Sequence, residues 1–201
     1  MSQHVSSTTA FAPGTSSAAP RAARSVPRLL AGTVLCVGAV ALVTAQAAFR
    51  DTEAQLAAHA LHLALGLPAW AGHAQPILYF TYPAGHTRHG LGLEVTLGCS
   101  SVLILAPALM LLGLFTITGR THPLRMAVAA STVAAILITA NVVRQAMIAA
   151  MVAHWGPQNG FGWGHSVFGS LIILAGMALA GFACYVTLRQ PKRGSVSARA
   201  C

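Results

Sequence analysis

Residues 126–153 read MAVAASTVAAILITANVVRQAMIAAMVA, an apolar run broken by a single charge, Arg144. At about 1.5 Å per residue, such a helix is longer than the roughly 30 Å hydrocarbon core of a bilayer. Three further uncharged runs share its character: Leu29–Phe49, Cys99–Gly119 and His165–Leu188. Together they predict an all-α integral membrane protein, a bundle of about four transmembrane helices with spans near 29–49, 99–119, 126–153 and 165–188. Composition agrees. The chain is 55% hydrophobic and 7% charged, with a mean hydropathy of +0.67, whereas soluble domains carry about 25% charged residues.

The charges that remain orient the bundle. Arg21, Arg24 and Arg28 precede the first run. Arg120 and Arg125 separate the second from the third, and Arg189, Lys192, Arg193 and Arg199 follow the fourth. Only Arg50 and Arg88 fall on the opposite side. By the positive-inside rule both termini are cytoplasmic, and the long 50–98 segment and the short 154–164 loop face outward. Basic clusters flanking apolar runs are orientation signals, so the pI near 10.8 is no argument for nucleic acid. Ala45-Gln46-Ala47 has the small-residue pattern of a signal-peptidase site, but the run before it is long, and an uncleaved anchor is expected. Residues 1–28, rich in Ser, Thr, Ala and Pro, and residues 189–201 read as disordered cytoplasmic tails.

The outward segment is partly helical. Ala54–Leu67 is Ala/Leu-rich, carries His59 and His62, and suits an interfacial helix. Tyr79, Phe80 and Tyr82 suit the headgroup level. Leu91, Leu93, Val95 and Leu97 alternate with glycine and polar positions, which predicts a short strand leading into Cys99.

Polar residues in a membrane are functional candidates by default. Arg144 lies 18 residues past Met126, about 27 Å along the axis and so in the outer leaflet, with Asn141 on the same face. The alternative is an arginine reaching out to lipid phosphates. Cys99 opens the second span at its outer boundary, and the positive end of a helix favours a thiolate. Cys36, Cys184 and Cys201 are cytoplasmic-side residues, so Cys99 has no disulfide partner. His165 opens the fourth span at the same boundary, and Gly164, Gly169 and Gly176 leave that helix a close-packing face. A thiolate attacks a carbonyl, a histidine moves the proton, and a fixed guanidinium holds an oxyanion. Cys99, His165 and Arg144 are therefore a complete set for acyl transfer through a thioester.

Three stretches resemble the exosortase/archaeosortase family of membrane cysteine transpeptidases. Glu94-Val95-Thr96-Leu97-Gly98-Cys99-Ser100-Ser101-Val102 is similar to its strand followed by Cys-Ser-Gly. Ala140-Asn141-Val142-Val143-Arg144 resembles its Asn-x-x-Arg motif, and Gly164-His165-Ser166-Val167-Phe168-Gly169 its His-x-x-x-Gly motif. The resemblance covers roughly residues 55–188. It implies Cys99 as nucleophile with Arg144 and His165 as partners, supported by Asn141 and Ser100. It further implies cleavage of C-terminal sorting signals (a short motif, a transmembrane helix and a basic tail) on exported proteins, with transfer to an unidentified cell-surface acceptor. No metal or cofactor is called for. Two departures stand out: Ser101 occupies the family's glycine position, and four runs stand where many members have about eight.

Rival readings remain. His59, His62, His73, His86, His89 and His154 share the outer side with His165, and with Glu94 and Cys99 they are raw material for a metal site. A non-enzymatic membrane subunit or small transporter would instead place polar groups at the bilayer midplane. His154, at the outer end of the Arg144 helix, competes with His165 as the base.

Overall fold

The computed structural model describes residues 26–72, 75–84, 87–119 and 122–189. Most of both tails, with His73, His86, Arg120 and Cys201, lies outside the described residues, as does the side chain of Arg88. Helix α1 spans Val26–Thr44 and α2 Gln46–Leu65. Three strands follow: β1 Ala69–Ala71, β2 Ile77–Ala84 and β3 Thr87–Glu94. A 3-10 turn at Leu97–Cys99 leads to α3, Val102–Ile117. Helix α4, Pro123–Trp163, breaks at Gly156 and passes through a π turn, Gly164–Phe168, into α5, Gly169–Leu188.

Two of these units are long and apolar enough to cross a membrane, Val26–Thr44 and Pro123–Leu188. The second folds back on itself. Gly156 adopts φ +80° and ψ 167°, a conformation natural to glycine, and Pro157 follows it, so the helix cannot continue straight. Beyond the corner the chain runs antiparallel to its own first arm. A Cβ on Gly164 would sit 3.4 Å from Ile148, one on Gly169 3.0 Å from Arg144 Nε, and one on Gly176 2.6 Å from Ala140. The small-residue face read from the sequence is this seam. Helices α1 and α3 form a second antiparallel pair, with Gly32 and Gly113 in backbone contact.

The helices depart from the limits of the apolar runs in several places. The first run ends at Thr44 rather than Phe49; Ala45 bends the chain, and Phe49 belongs to α2. Helix α3 has 16 residues, about 24 Å, short of the roughly 30 Å core. His165 does not open a helix but lies inside one that begins after Gly156. The arm Pro123–Trp155 is about 50 Å long, beyond the thickness of the hydrocarbon core. Its surplus is used: Ile148, Ala149 and Val152 pack with Ala57, Ala58 and Leu61 of α2 and Leu78 and Phe80 of β2.

The segment between α2 and α3 holds more strand than expected. It forms an antiparallel three-stranded sheet in the order β1-β2-β3, with Leu78 opposite Leu93 and Phe80 opposite both Ala69 and Leu91. Phe80 and Leu78 are fully buried in this second core, so the aromatic group is not simply a headgroup belt. The expected 91–97 strand begins earlier and stops at Glu94, where the Thr96 N–H turns back onto the Glu94 carbonyl.

Basic residues collect at the end of the bundle remote from the sheet. Arg28 donates to the Gly119 carbonyl at 3.2 Å. Arg125 adjoins Met126, which shares an apolar cluster with Leu188, the residue before Arg189.

Candidate active site

The stretch from Glu94 to Val102 places Cys99. Its own N–H is bonded to the Thr96 carbonyl at 2.9 Å, and Ser100 N–H reaches Leu97 O at 3.2 Å. Arg50 Nη1 holds the Val95 carbonyl at 3.3 Å, and Gln145 Nε2 holds the Cys99 carbonyl at 3.4 Å. Cys99 thus sits in the turn before α3 rather than on the helix. The first amides of α3 are also occupied: Ser101 N–H by Glu53 and Val102 N–H by Ser100 Oγ. Cys99 therefore precedes the helix instead of opening it, contrary to the expectation from sequence.

Glu53 is the residue that sequence reasoning missed. It is 1% exposed on α2. Its Oε2 accepts from Ser100 Oγ at 2.6 Å, and its Oε1 from Ser101 Oγ at 2.7 Å, Ser101 N at 3.1 Å and Asn141 Nδ2 at 2.8 Å. A buried carboxylate is tolerated when its lone pairs are satisfied in this way. The network joins α2, the start of α3 and α4 behind Cys99. It also gives Ser101 a use, because the hydroxyl at the family's glycine position donates to the carboxylate. The signal was present: Glu53 is one of three acidic residues in the chain, in register with Ala54, Ala57, Ala58 and Leu61 on the buried face of α2.

Helix α4 presents Asn141, Arg144, Gln145 and Ile148 at helical spacing, all buried. Arg144 is 9% exposed, its Nη2 lies 3.5 Å from His165 Nδ1, and its Nε has no partner. Among the described residues no carboxylate pairs with it. His165 is carried by the π turn, a device common at functional sites, and its ring stacks on Phe161 at 5.2 Å and 7°. Gly169 lets Arg144 lie against α5, since a Cβ there would also come within 2.8 Å of the Gly164 carbonyl.

Cys99, Arg144, Gln145 and His165 line one cavity of about 310 Å³, closed on one side by Glu94 to Thr96 and by Phe161. Asn141 and Ser100 lie behind its wall, in the Glu53 network. His154 is exposed, beside Trp155, and is not part of the lining. His59 and His62 line a separate cavity of about 450 Å³ with Trp70, where His59 Nδ1 lies 2.8 Å from Gln55 O. Among the described residues no three His, Cys, Asp or Glu side chains gather as a metal site. Chemically the Cys99 cavity pairs a thiol with an imidazole and a buried guanidinium that has no ion-pair partner among the described residues, which is a setting for a carbonyl that turns into an oxyanion.

A search of family models matches residues 11–182 to the transmembrane exosortase family, a range that includes all three quoted motifs. Searches of curated proteins and of solved structures returned no match.

Proposed function

Because the chain belongs to the transmembrane exosortase family, and is with its apolar helices a membrane protein, we propose that it is a membrane-embedded cysteine peptidase or transpeptidase acting at Cys99. The observation that carries this reading is the convergence of Cys99, Arg144 and His165 on one cavity from three separate elements.

The Cys99 sulfur attacks the scissile carbonyl, and its proton passes to His165. The carbonyl oxygen takes up the negative charge and is held by Arg144, whose guanidinium is buried, packed against Gly169 and without an ion-pair partner among the described residues. Collapse breaks the C–N bond, the leaving amine takes the proton from His165, and a thioester remains on Cys99. Water, or an amine or hydroxyl on an acceptor, resolves it. Glu53, Ser100, Ser101 and Asn141 hold the turn that carries Cys99, and Gln145 fixes its carbonyl. The substrates are exported proteins with a C-terminal sorting signal, and the acceptor is a cell-surface group.

The same reading has four membrane crossings, both termini cytoplasmic and the cavity outward. The basic end formed around Arg28, Arg125 and Arg189, opposite the sheet, supports that orientation. The reading is tested by comparing the membrane and surface proteins of cells carrying the wild-type chain with those carrying Cys99→Ala. Exported proteins that keep an apolar helix and basic tail only in the variant support it. Identical processing in both overturns it.

A further inference from the structure

Strand β3 is an edge. It pairs with β2 alone, and no described strand lies on its other side. The direction of its free backbone groups follows from one hydrogen bond: Val95 N donates to Pro76 O at 2.7 Å. In an antiparallel ladder the bonded pairs alternate, so Leu91 and Leu93 turn their amides toward β2, while Gly90, Gly92 and Glu94 turn theirs outward. The Glu94 carbonyl is taken by Thr96 N. The Glu94 N–H and both groups of Gly90 and Gly92 are left facing the open side.

Natural edges are usually blunted by charge, proline or a bulge. Here two of the three outward residues, Gly90 and Gly92, are exposed glycines, with charge only at Glu94 where the edge ends; a Cβ on Gly92 would press on Ile77 and Tyr79 of β2, but one on Gly90 would meet nothing within 4 Å. Glycine in a strand often marks a place where another backbone approaches closely. The edge also leads somewhere. Leu93 to Thr96 line the cavity that holds Cys99 and Arg144.

We propose that the free edge of β3, Gly90–Glu94, binds the substrate's extended recognition segment as a fourth strand and delivers its scissile bond to Cys99. Main-chain hydrogen bonds supply the grip, as in other strand-addition complexes. Five residues of edge reach about 13 Å, enough for about four substrate residues. The proposal rests on the acyl-transfer reading above.

The test uses full-length protein in nanodiscs and two reagents, with labelling of Cys99 read by peptide mass mapping. One is an acetylated tetra-alanine vinyl sulfone, used unmodified and as four forms each N-methylated at one alanine. The other is methyl methanethiosulfonate, which needs no peptide track. Strand addition predicts that N-methylation slows labelling about tenfold at alternate alanines and less than about twofold at the others, the weight of single hydrogen bonds. Gly90→Pro, which removes an outward N–H and no ladder bond to β2, slows the peptide reagent about tenfold and the small reagent less than about twofold. Insensitivity to N-methylation, equal loss at all four positions, or labelling by the small reagent alone overturns the track. So does a Gly90→Pro protein whose main change is loss of self-association, because the edge is then covered by a second copy. If Cys99 is inert to both reagents, the nucleophile reading itself falls.

Discussion

Glu53 offers the sharpest perturbation. Its carboxylate takes four hydrogen bonds while 1% exposed. Glu53→Ala removes every acceptor at once. The two serine hydroxyls can rotate to other acceptors, but the Ser101 N–H and Asn141 Nδ2 are left buried and unpaired, at about 1–3 kcal/mol each. The vacated space adds a cavity cost of about 1–2 kcal/mol, so the gross loss is about 3–8 kcal/mol, partly offset because the desolvation cost of the buried carboxylate also disappears. Glu53→Gln behaves differently. An amide oxygen in place of Oε1 keeps Asn141 and both Ser101 donors, and the NH2 group can donate to Ser100 Oγ. Charge assistance is lost over four bonds, yet the desolvation cost of a buried carboxylate, several kcal/mol, disappears too, and the net change is within about 2 kcal/mol. Thermal unfolding in detergent reads stability, and methyl methanethiosulfonate labelling of Cys99 reads the turn. The expected order is wild type close to Gln, with Ala far below; processing survives in Gln and fails in Ala. An Ala variant as stable and as active as wild type would refute the idea that this network holds the Cys99 turn.

Other expectations follow from the same geometry. Arg144→Lys keeps a charge but loses the planar fork, and processing falls about 10²–10³-fold with substrate binding nearly unchanged, read as a split between kcat and KM. Gly169→Ala pushes a methyl between the Gly164 carbonyl and Arg144, costing about 1–3 kcal/mol of stability and most of the activity. Gly156→Ala strains the positive-φ corner by about 1–3 kcal/mol, seen in unfolding rather than in the chemistry of Cys99. His165→Ala abolishes processing while His154→Ala leaves it intact, as complementation of a null strain would show.

Hydropathy exposed the apolar runs, because transfer from water to lipid is a sum over residues and needs no partner. That sum could not see the corner at Gly156-Pro157 as one unit with the arms on either side, nor the surplus length of α4 that supports the sheet. The strands were harder still. β2 and β3 bury Leu78 and Phe80 against helices α2 and α4, so their stability is tertiary, and the alternation around Leu91 and Leu93 hinted at only one of them. Cys99, Arg144 and His165 could be grouped from the sequence because their offsets along the apolar runs gave them one expected level, and in the structure they line one cavity. Glu53 was not legible, because its importance lies in four donors from two distant segments. Neither the π turn nor the exposure of His154 has a hydropathy signature.

The most direct test of Cys99 as an acyl-transfer nucleophile is to find the acyl group on it. A substrate identified by comparing processed surface proteins is incubated with the full-length protein, quenched in acid and mapped by mass spectrometry, with and without hydroxylamine. The expected result is the N-terminal part of the substrate joined to Cys99 as a hydroxylamine-labile thioester, absent in Cys99→Ala. Cleavage that proceeds undiminished in Cys99→Ala, or an adduct on another residue, would contradict it.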